Sequence, residues 1–578
     1  MNASASGQPD QSHDEILRPA LELAETDGGP ELAALVYRVL EHVAPEGLAE
    51  REPEALVGAV QALRSLAAQR SQGQALVRVF SPQRESEGWT SRHSVVQLCT
   101  DDMPFLVDSV TAALAREGLT VQLLVHPQLA VRRDGDGNLV QVREERPPAG
   151  GGIVESWMHL EIDRVPDPAH QDQLTARLES VLRDVRRAVE DWAAMRRQCE
   201  QLARDLEWGA PDTVDPDEIG PTRELLTWLA DDHFTFLGYR EYLLEDGEQN
   251  LGLRAVPGTG LGILREDPET PFTVLRPEAR ANARAPRLLT ITKANSRATV
   301  HRPTYLDYIG VRTFDAEGNV TGERRFLGMM TSSAYAESVL RLPIVSAKVR
   351  EVLRRSGFTA HSHSGKDLLQ VLEAYPRDEL FQADVDTIYD VATDVLYLQE
   401  RRRARLFLRS DEFGRFVSAL VYIPRDRYNT TVRQRMEHLL RDAYNAETVD
   451  FTTRVTDSAL AQLHFVVRLP HGEAIGKVDP ARLQQLLIEA TRTWEELLLD
   501  AAVQTLPEET AYQLVSTYSG RFAEAYKEAV DPSSAVRDLQ ALSELSGPED
   551  IAIHLYRARD GHPGERRLKI YRQSPLSL

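Results

Sequence analysis

Three carboxylates, Asp101, Asp102 and Asp108, close around Met103, Pro104 and Phe105 within residues 94–133. Neighbouring carboxylates can hold a cation or share acid and base roles. They can also face the positive end of a helix dipole, and helix support with solvation is the simpler account of these three. His361 and His363 lie two apart on an extended segment and could ligate a metal from one side. No third ligand stands near them, so a solvated loop before a helix is the simpler reading. Gly258, Gly260 and Gly262 form the nearest approach to a dinucleotide loop. Such a loop must deliver the pyrophosphate to free helix N–H groups, and residues 263–268 cannot build that helix. The G-x-G-x-x-G spacing is also missed. Gly365, Lys366 and Asp367 lack the upstream glycine and the Ser/Thr of a phosphate loop. No nucleophile–base pair presents itself. The chain is therefore expected to contain no catalytic, cofactor-binding or metal residues, and 101–105 with 108 is the candidate effector or interface loop.

The elements that hold this loop read clearly. Val95, Val96 and Leu98 predict a buried strand ahead of it. Pro104 suits a first helical turn. Leu106, Val110, Ala113 and Leu114 recur at helical spacing until Gly118 ends the helix. A strand over 121–131 follows and turns at 134–138, whose Asp-Gly-Asp-Gly-Asn run is a strong hairpin signal. A further strand, 153–162, carries Trp157 and His159.

Around that unit the chain divides into eight parts. Residues 1–74 read as a disordered tail to about Asp14 and two or three short helices, and 75–172 as the unit just described. A long helix from Gln173 to Trp208 and a Pro/Gly-rich acidic linker fill 173–221. The helix carries two heptad rows, one being Leu178, Val185, Trp192, Cys199 and Leu206. They fit either a cover for the preceding sheet or a coiled-coil dimer helix. Residues 222–337 predict one helix and four or five antiparallel strands, a small α+β sensor-type domain, and 338–403 a helical segment. The first pattern returns over 404–505. A hairpin leads to the loop 424–429, then to a helix capped by Thr430 or Thr431, strands 447–455 and 463–469, and a helix over 479–501. Both copies fit a βαββα, ferredoxin-like order. Residues 506–547 are helical, and 548–578 begin a third copy with a hairpin turned at Asp560 and Gly561. No helix follows, and truncation inside a domain is expected. The fold class is thus α+β and multidomain.

Composition narrows the partners. A formal charge of -22 opposes a nucleic-acid or anionic-membrane surface. No apolar run reaches the ~18 residues of a membrane span, and the polar start lacks a signal-peptide layout. Cys99 and Cys199 suggest no disulfide framework. A cytoplasmic protein is expected. Lysine occurs at only six positions, 293 to 569, read as genome composition.

Several long motifs resemble one family: DDMPFLVDSV, FTFLGYREY, YLDYIGVRTFDAEGNVTGERRFLGMMTSSAY, LRLPIVSAKVREVL and AYPRDELFQ. Together they are similar to the N-terminal region of the large bacterial NAD-specific glutamate dehydrogenases. The resemblance implies two ACT-like units flanking a PAS-like domain, joined by helical segments, with a third ACT-like unit starting at the C-terminus. It implies a regulatory and assembly region of a homo-oligomer in amino-acid catabolism. The whole enzyme would convert L-glutamate, NAD and water to 2-oxoglutarate, ammonia and NADH. Its partner would be the C-terminal catalytic domain of the same polypeptide, expected outside these 578 residues together with its NAD. A free-standing ACT/PAS-type metabolite sensor is the alternative. ACT domains usually seat an amino acid at the strand-to-helix loop, with a glycine after the proline. Phe105 stands there in the first copy and Tyr428 and Asn429 in the second, so structural use of the fold competes with effector binding.

Overall fold

The computed structural model describes residues 13–143, 153–208, 212–247, 250–359, 361–401, 403–456, 458–470, 475–547, 549–556 and 566–572. Two units emerge: 1–355 with 375–385, and 356–374 with 386–578. Each is α+β. Among the described residues no helix is long and apolar enough to cross a membrane. The expected disordered tail falls almost wholly outside the described residues.

The first unit opens with helices His13–Leu40, Pro45–Ala49 and Pro53–Leu66. They cover one face of a six-stranded sheet: β1 (Leu76–Phe80), β2 (Ser94–Asp101), β3 (Val121–Val125), β4 (Gln128–Arg133), β5 (Leu139–Val142) and β6 (Ile153–Ile162). Strand alternation assigns the faces. Val96, Leu98, Met158, Leu160 and Ile162 point to one core, Cys99 and Trp157 to the other. The single strand expected over 121–131 is two, because Pro127 has no N–H to donate to a ladder. Both pieces still run along β6, β3 opposite its C-terminal half and β4 opposite its N-terminal half.

The long helix begins at Pro168 instead of Gln173, since proline fits a first turn, and runs to Trp208. The expected linker is helical from Pro216, where the Asp215 side chain accepts the Asp217 N–H and starts the helix Pro216–Trp228. The long helix is a shared spine. Leu178, Val181, Leu182, Val185 and Ala188 join a core that includes both the first sheet and residues of a second. That second sheet has seven strands, more than expected: β7 (Phe234–Asp246), β8 (Leu251–Ala255), β9 (Leu261–Gly262), β10 (Phe272–Val274), β11 (Leu289–Arg297), β12 (Tyr305–Phe314) and β13 (Val320–Met330). The extra β9 and β10 have two and three residues, too short for a period to show.

The second unit centres on a four-stranded sheet: β14 (Arg405–Ser410), β15 (Phe416–Pro424), β16 (Thr448–Arg454) and β17 (Leu460–Arg468). Its order, β14-β15-β17-β16, matches β1-β2-β6 followed by β3 and β4 in the first unit. Both copies place a helix after the second strand: Leu106–Arg116 and Thr430–Tyr444. Asn429, not Thr430 or Thr431, caps the latter, accepting the Val432 N–H at 2.8 Å. The helix expected over 479–501 is two, Pro480–Ala490 and Trp494–Thr505, because Thr493 and Glu496 form a capping box between them. A final hairpin pairs β18 (Ile551–Tyr556) with β19 (Arg567–Arg572), and its expected turn at 560–561 and the tail from 574 lie outside the described residues.

The helix rows make a stability prediction. Leu178 is 1% exposed and Trp192 37%. Leu178→Ala should cost ~2–5 kcal/mol in chemical denaturation. Trp192→Ala should cost less than about 1 kcal/mol, as a surface change does.

Candidate functional site

Asp101 and Asp102 do not support the helix start. Asp101 ends β2 and accepts Arg70 Nη2 at 2.7 Å, the Gly73 N–H at 3.0 Å and Arg186 Nη2 at 2.8 Å. Arg70 comes from the loop between the helix Pro53–Leu66 and β1, and Arg186 from the long helix. Asp101 therefore bridges the two faces of the sheet at its end. Asp102 accepts Ser156 Oγ at 2.7 Å and Gln128 Nε2 at 3.1 Å, tying β2 to β6 and β4. Pro104 lies in a turn ahead of the helix, which starts at Leu106 with no side-chain cap.

Behind Asp101 lies the charged centre of the unit. Glu155 is fully buried. It accepts Arg70 Nη2 at 2.6 Å, Arg133 Nε at 2.7 Å and Trp157 Nε1 at 2.9 Å. Burial alone would raise its pKa, but the hydrogen bonds from Arg133, Trp157 and Arg70 outweigh it and hold the carboxyl down at about 2. The same burial and the Glu155 charge push the Cys99 thiol well up, so it stays protonated. Asp101 is likewise held below its ordinary value: burial opposes ionisation, and Arg70 and Arg186 overcome it.

Phe105 has φ 73°, the left-handed region that a glycine would take without cost. Its half-buried ring lies 4.9 Å from that of His301, which is also left-handed at φ 65°. His301 donates its backbone N–H to Ser109 Oγ at 2.9 Å, and its Nδ1 is 2.9 Å from Asp108 Oδ2. Arg116 bonds the Ala298 carbonyl. Thr299 Oγ1 donates to Asp184 on the long helix at 2.7 Å. The loop between β11 and β12 thus clamps the helix that follows Phe105. All six expected residues gather in one region, and another loop of the same unit packs against it.

The other expectations separate. Gly262 has φ 62°; its N–H donates to Asp191 at 2.7 Å, and a Cβ there would strike the Leu237 carbonyl. These glycines lie in and just before β9 beneath the long helix, and a strand, not a helix, is the next element after them. His363 opens the helix His363–Ala374 and faces Asp367 at 3.4 Å. Among the described residues no group of three or more His, Cys, Asp or Glu could hold a metal.

Sequence reasoning missed a second charged cluster. Lys293 Nζ lies 2.5 Å from Asp307 and 3.2 Å from Asp378, and Tyr335 OH donates to Asp378 at 3.2 Å. Burial opposes the lysine's charge, yet the two carboxylates raise its pKa well above normal. Lys348 Nζ donates to the carbonyls of Leu380, Phe381 and Ala383. Asp307, Tyr335, Lys348 and Asp378 all fall in the motif stretches noted in the sequence, and the scarcity of lysine could have marked the cluster.

Comparison with known proteins follows these boundaries. The model of the glutamate dehydrogenase ACT1 domain matches residues 35–178 and that of the ACT2 domain 405–495. Helical motifs 1 and 2 of glutamate dehydrogenase match 342–401 and 501–545. An NAD-specific glutamate dehydrogenase of Halomonas elongata is 37% identical over 559 residues, 96% of this chain and 35% of that protein. The chain belongs to the NAD-specific glutamate dehydrogenase family. Relatives of that name from Pseudomonas aeruginosa (34% identity, 95% of this chain, 34% of the relative) and Mycobacterium tuberculosis (32%, 80% and 28%) agree. The chain spans about a third of the length of the curated relatives it matches. One expectation is corrected here. The catalytic domain was placed outside these 578 residues, but the match covers 96% of a partial-length dehydrogenase-like chain and gives that placement no support.

Three substitutions probe this loop and the charged centre behind it. Glu155→Gln should cost ~3–5 kcal/mol, because Arg70 and Arg133 stay buried with less to pair them. A depressed carboxyl stabilises above its unfolded pKa and loses that contribution as pH falls through the folded value. Between about pH 4.5 and 2 the native chain should lose on the order of 3 kcal/mol from this group. Acid denaturation of Glu155→Gln should lack that part of the slope. At Phe105 the usual order reverses: Phe105→Gly should be more stable than Phe105→Ala by about 1 kcal/mol, since left-handed backbone costs an L residue ~1–2 kcal/mol. Thermal melts of the pair measure it.

Proposed function

We propose that these residues act as a regulatory and assembly region of a cytoplasmic, homo-oligomeric, NAD-dependent glutamate dehydrogenase, the enzyme that converts L-glutamate, NAD and water to 2-oxoglutarate, ammonia and NADH. NAD enters through the names of the relatives, and the run at 258–262 offers it no cradle. On this reading the two matching sheets are ferredoxin-like ACT units, and the seven-stranded sheet with its helices is the PAS-like domain. The observation that carries the reading is the state of the first strand-to-helix loop. Asp101, Asp102, Phe105 and Asp108 are all engaged by protein groups from five other segments of the unit, which is the use of a loop that fixes one domain against the next. The exposed Trp192, with the Arg196 guanidinium 5.6 Å from its ring centre, gives the long helix an outer face for a second copy.

The clamp supplies the test. His301→Ala, made in the dehydrogenase that carries these residues, removes the ring contact and the pairing with Asp108. Light scattering or effector titration should change, while KM for glutamate stays within about two-fold, as for a residue making no contact with substrate. A tenfold or greater loss of kcat with assembly and effector response intact would overturn the reading.

A further inference from the structure

The second unit contains a pocket beside its strand-to-helix loop 424–429. It lies where β14 begins, on the outer edge of the four-stranded sheet, and has a volume of about 680 Å³. Ligand pockets commonly measure about 300–1,000 Å³. The helix Val385–Arg401 supplies Asp394 and Tyr397 to its wall, and the helix Pro480–Ala490 supplies Gln484 and Ile488. Pro424 closes one side. Having no N–H, it ends β15 and turns the chain so that Arg427 faces the same space.

Its charge stands against that of the chain. Among the described residues, three arginines, Arg403, Arg405 and Arg427, line it with a single carboxylate, Asp394, while the whole sequence carries -22. Arg405 spends one Nη on Asp394 at 3.0 Å, and Arg427 meets Glu496 at 2.7 Å. A guanidinium has five N–H donors in a fixed fork, so both retain donors for another acceptor. Arg403 makes no hydrogen bond or ion pair with any described residue. Beside these cations lie two exposed apolar groups, Tyr397 at 55% and Ile488 at 38%.

We propose that this pocket binds a small, multiply charged organic anion, with its phosphate or carboxylate head on Arg403, Arg405 and Arg427 and its body against Tyr397 and Ile488. Arginine forks pair with the planar oxygens of either head group. An aromatic body would stack on the Tyr397 ring, and a compact polycarboxylate would use the cations alone. The site stands on its own lining and goes beyond the reading given above, whose test concerns the clamp in the first unit.

Isothermal titration of the 578-residue chain with AMP and, separately, with citrate tests it. Saturable binding of at least one probe is expected, weakened tenfold or more by Arg403→Ala. That substitution lies on an exposed side chain with no partner among the described residues to lose, and an unchanged melting temperature confirms the fold. Tyr397→Ala should weaken AMP several-fold and leave citrate unchanged, which separates the two head-group sources. No saturable binding of either probe, or equal binding by Arg403→Ala, overturns the proposal.

Discussion

A fully buried Arg70, held between Glu155 and Asp101, is the contact on which the first unit depends. Two cationic side chains and a carboxylate are taken out of water between the N-terminal helices and the sheet. Such a group tolerates no missing member, since each ion left over would be a buried, unpaired charge. The helices, β2, β4 and β6 must therefore come together in one register. Asp101 carries the constraint through the sheet to Arg186, so the long helix is set from the same point, and with it the sheet beyond.

The helical and strand periods made much of this legible. The buried faces of β2 and β6, the helix after Phe105, the heptad rows and the repeated strand order were all written in apolar spacing. The repeat survives with different loop chemistry. Asn429 caps its helix with a side chain. Phe105 begins its helix in a left-handed conformation and relies on His301 from the loop between β11 and β12. Local pattern shows where such a loop lies but not what occupies it, because the occupant comes from nearly two hundred residues away.

The carboxylates were misassigned for the same reason. Asp101 and Asp102 precede a helix in sequence, but their partners, Arg70, Arg186, Ser156 and Gln128, come from a loop, the long helix, β6 and β4. Lysine scarcity was read as composition alone. Lys293, Lys348, Lys527 and Lys569 nonetheless each reach carboxylates or carbonyls of other elements, at 2.5 to 3.2 Å. Lys293 and Lys348 both hold the short helix Arg377–Gln382.

That helix lies in a segment, 375–385, that packs with the first unit although the residues on either side of it belong to the second. The backbone accordingly crosses between the units three times. No single cut of the gene can separate them cleanly. A break before 356 strips the first unit of 375–385, with the residues that meet Lys293 and Lys348, and a break after 385 strips the second unit of the helix His363–Ala374. A fragment of either unit intended for separate expression would need its missing piece supplied in trans or joined by a short artificial connection.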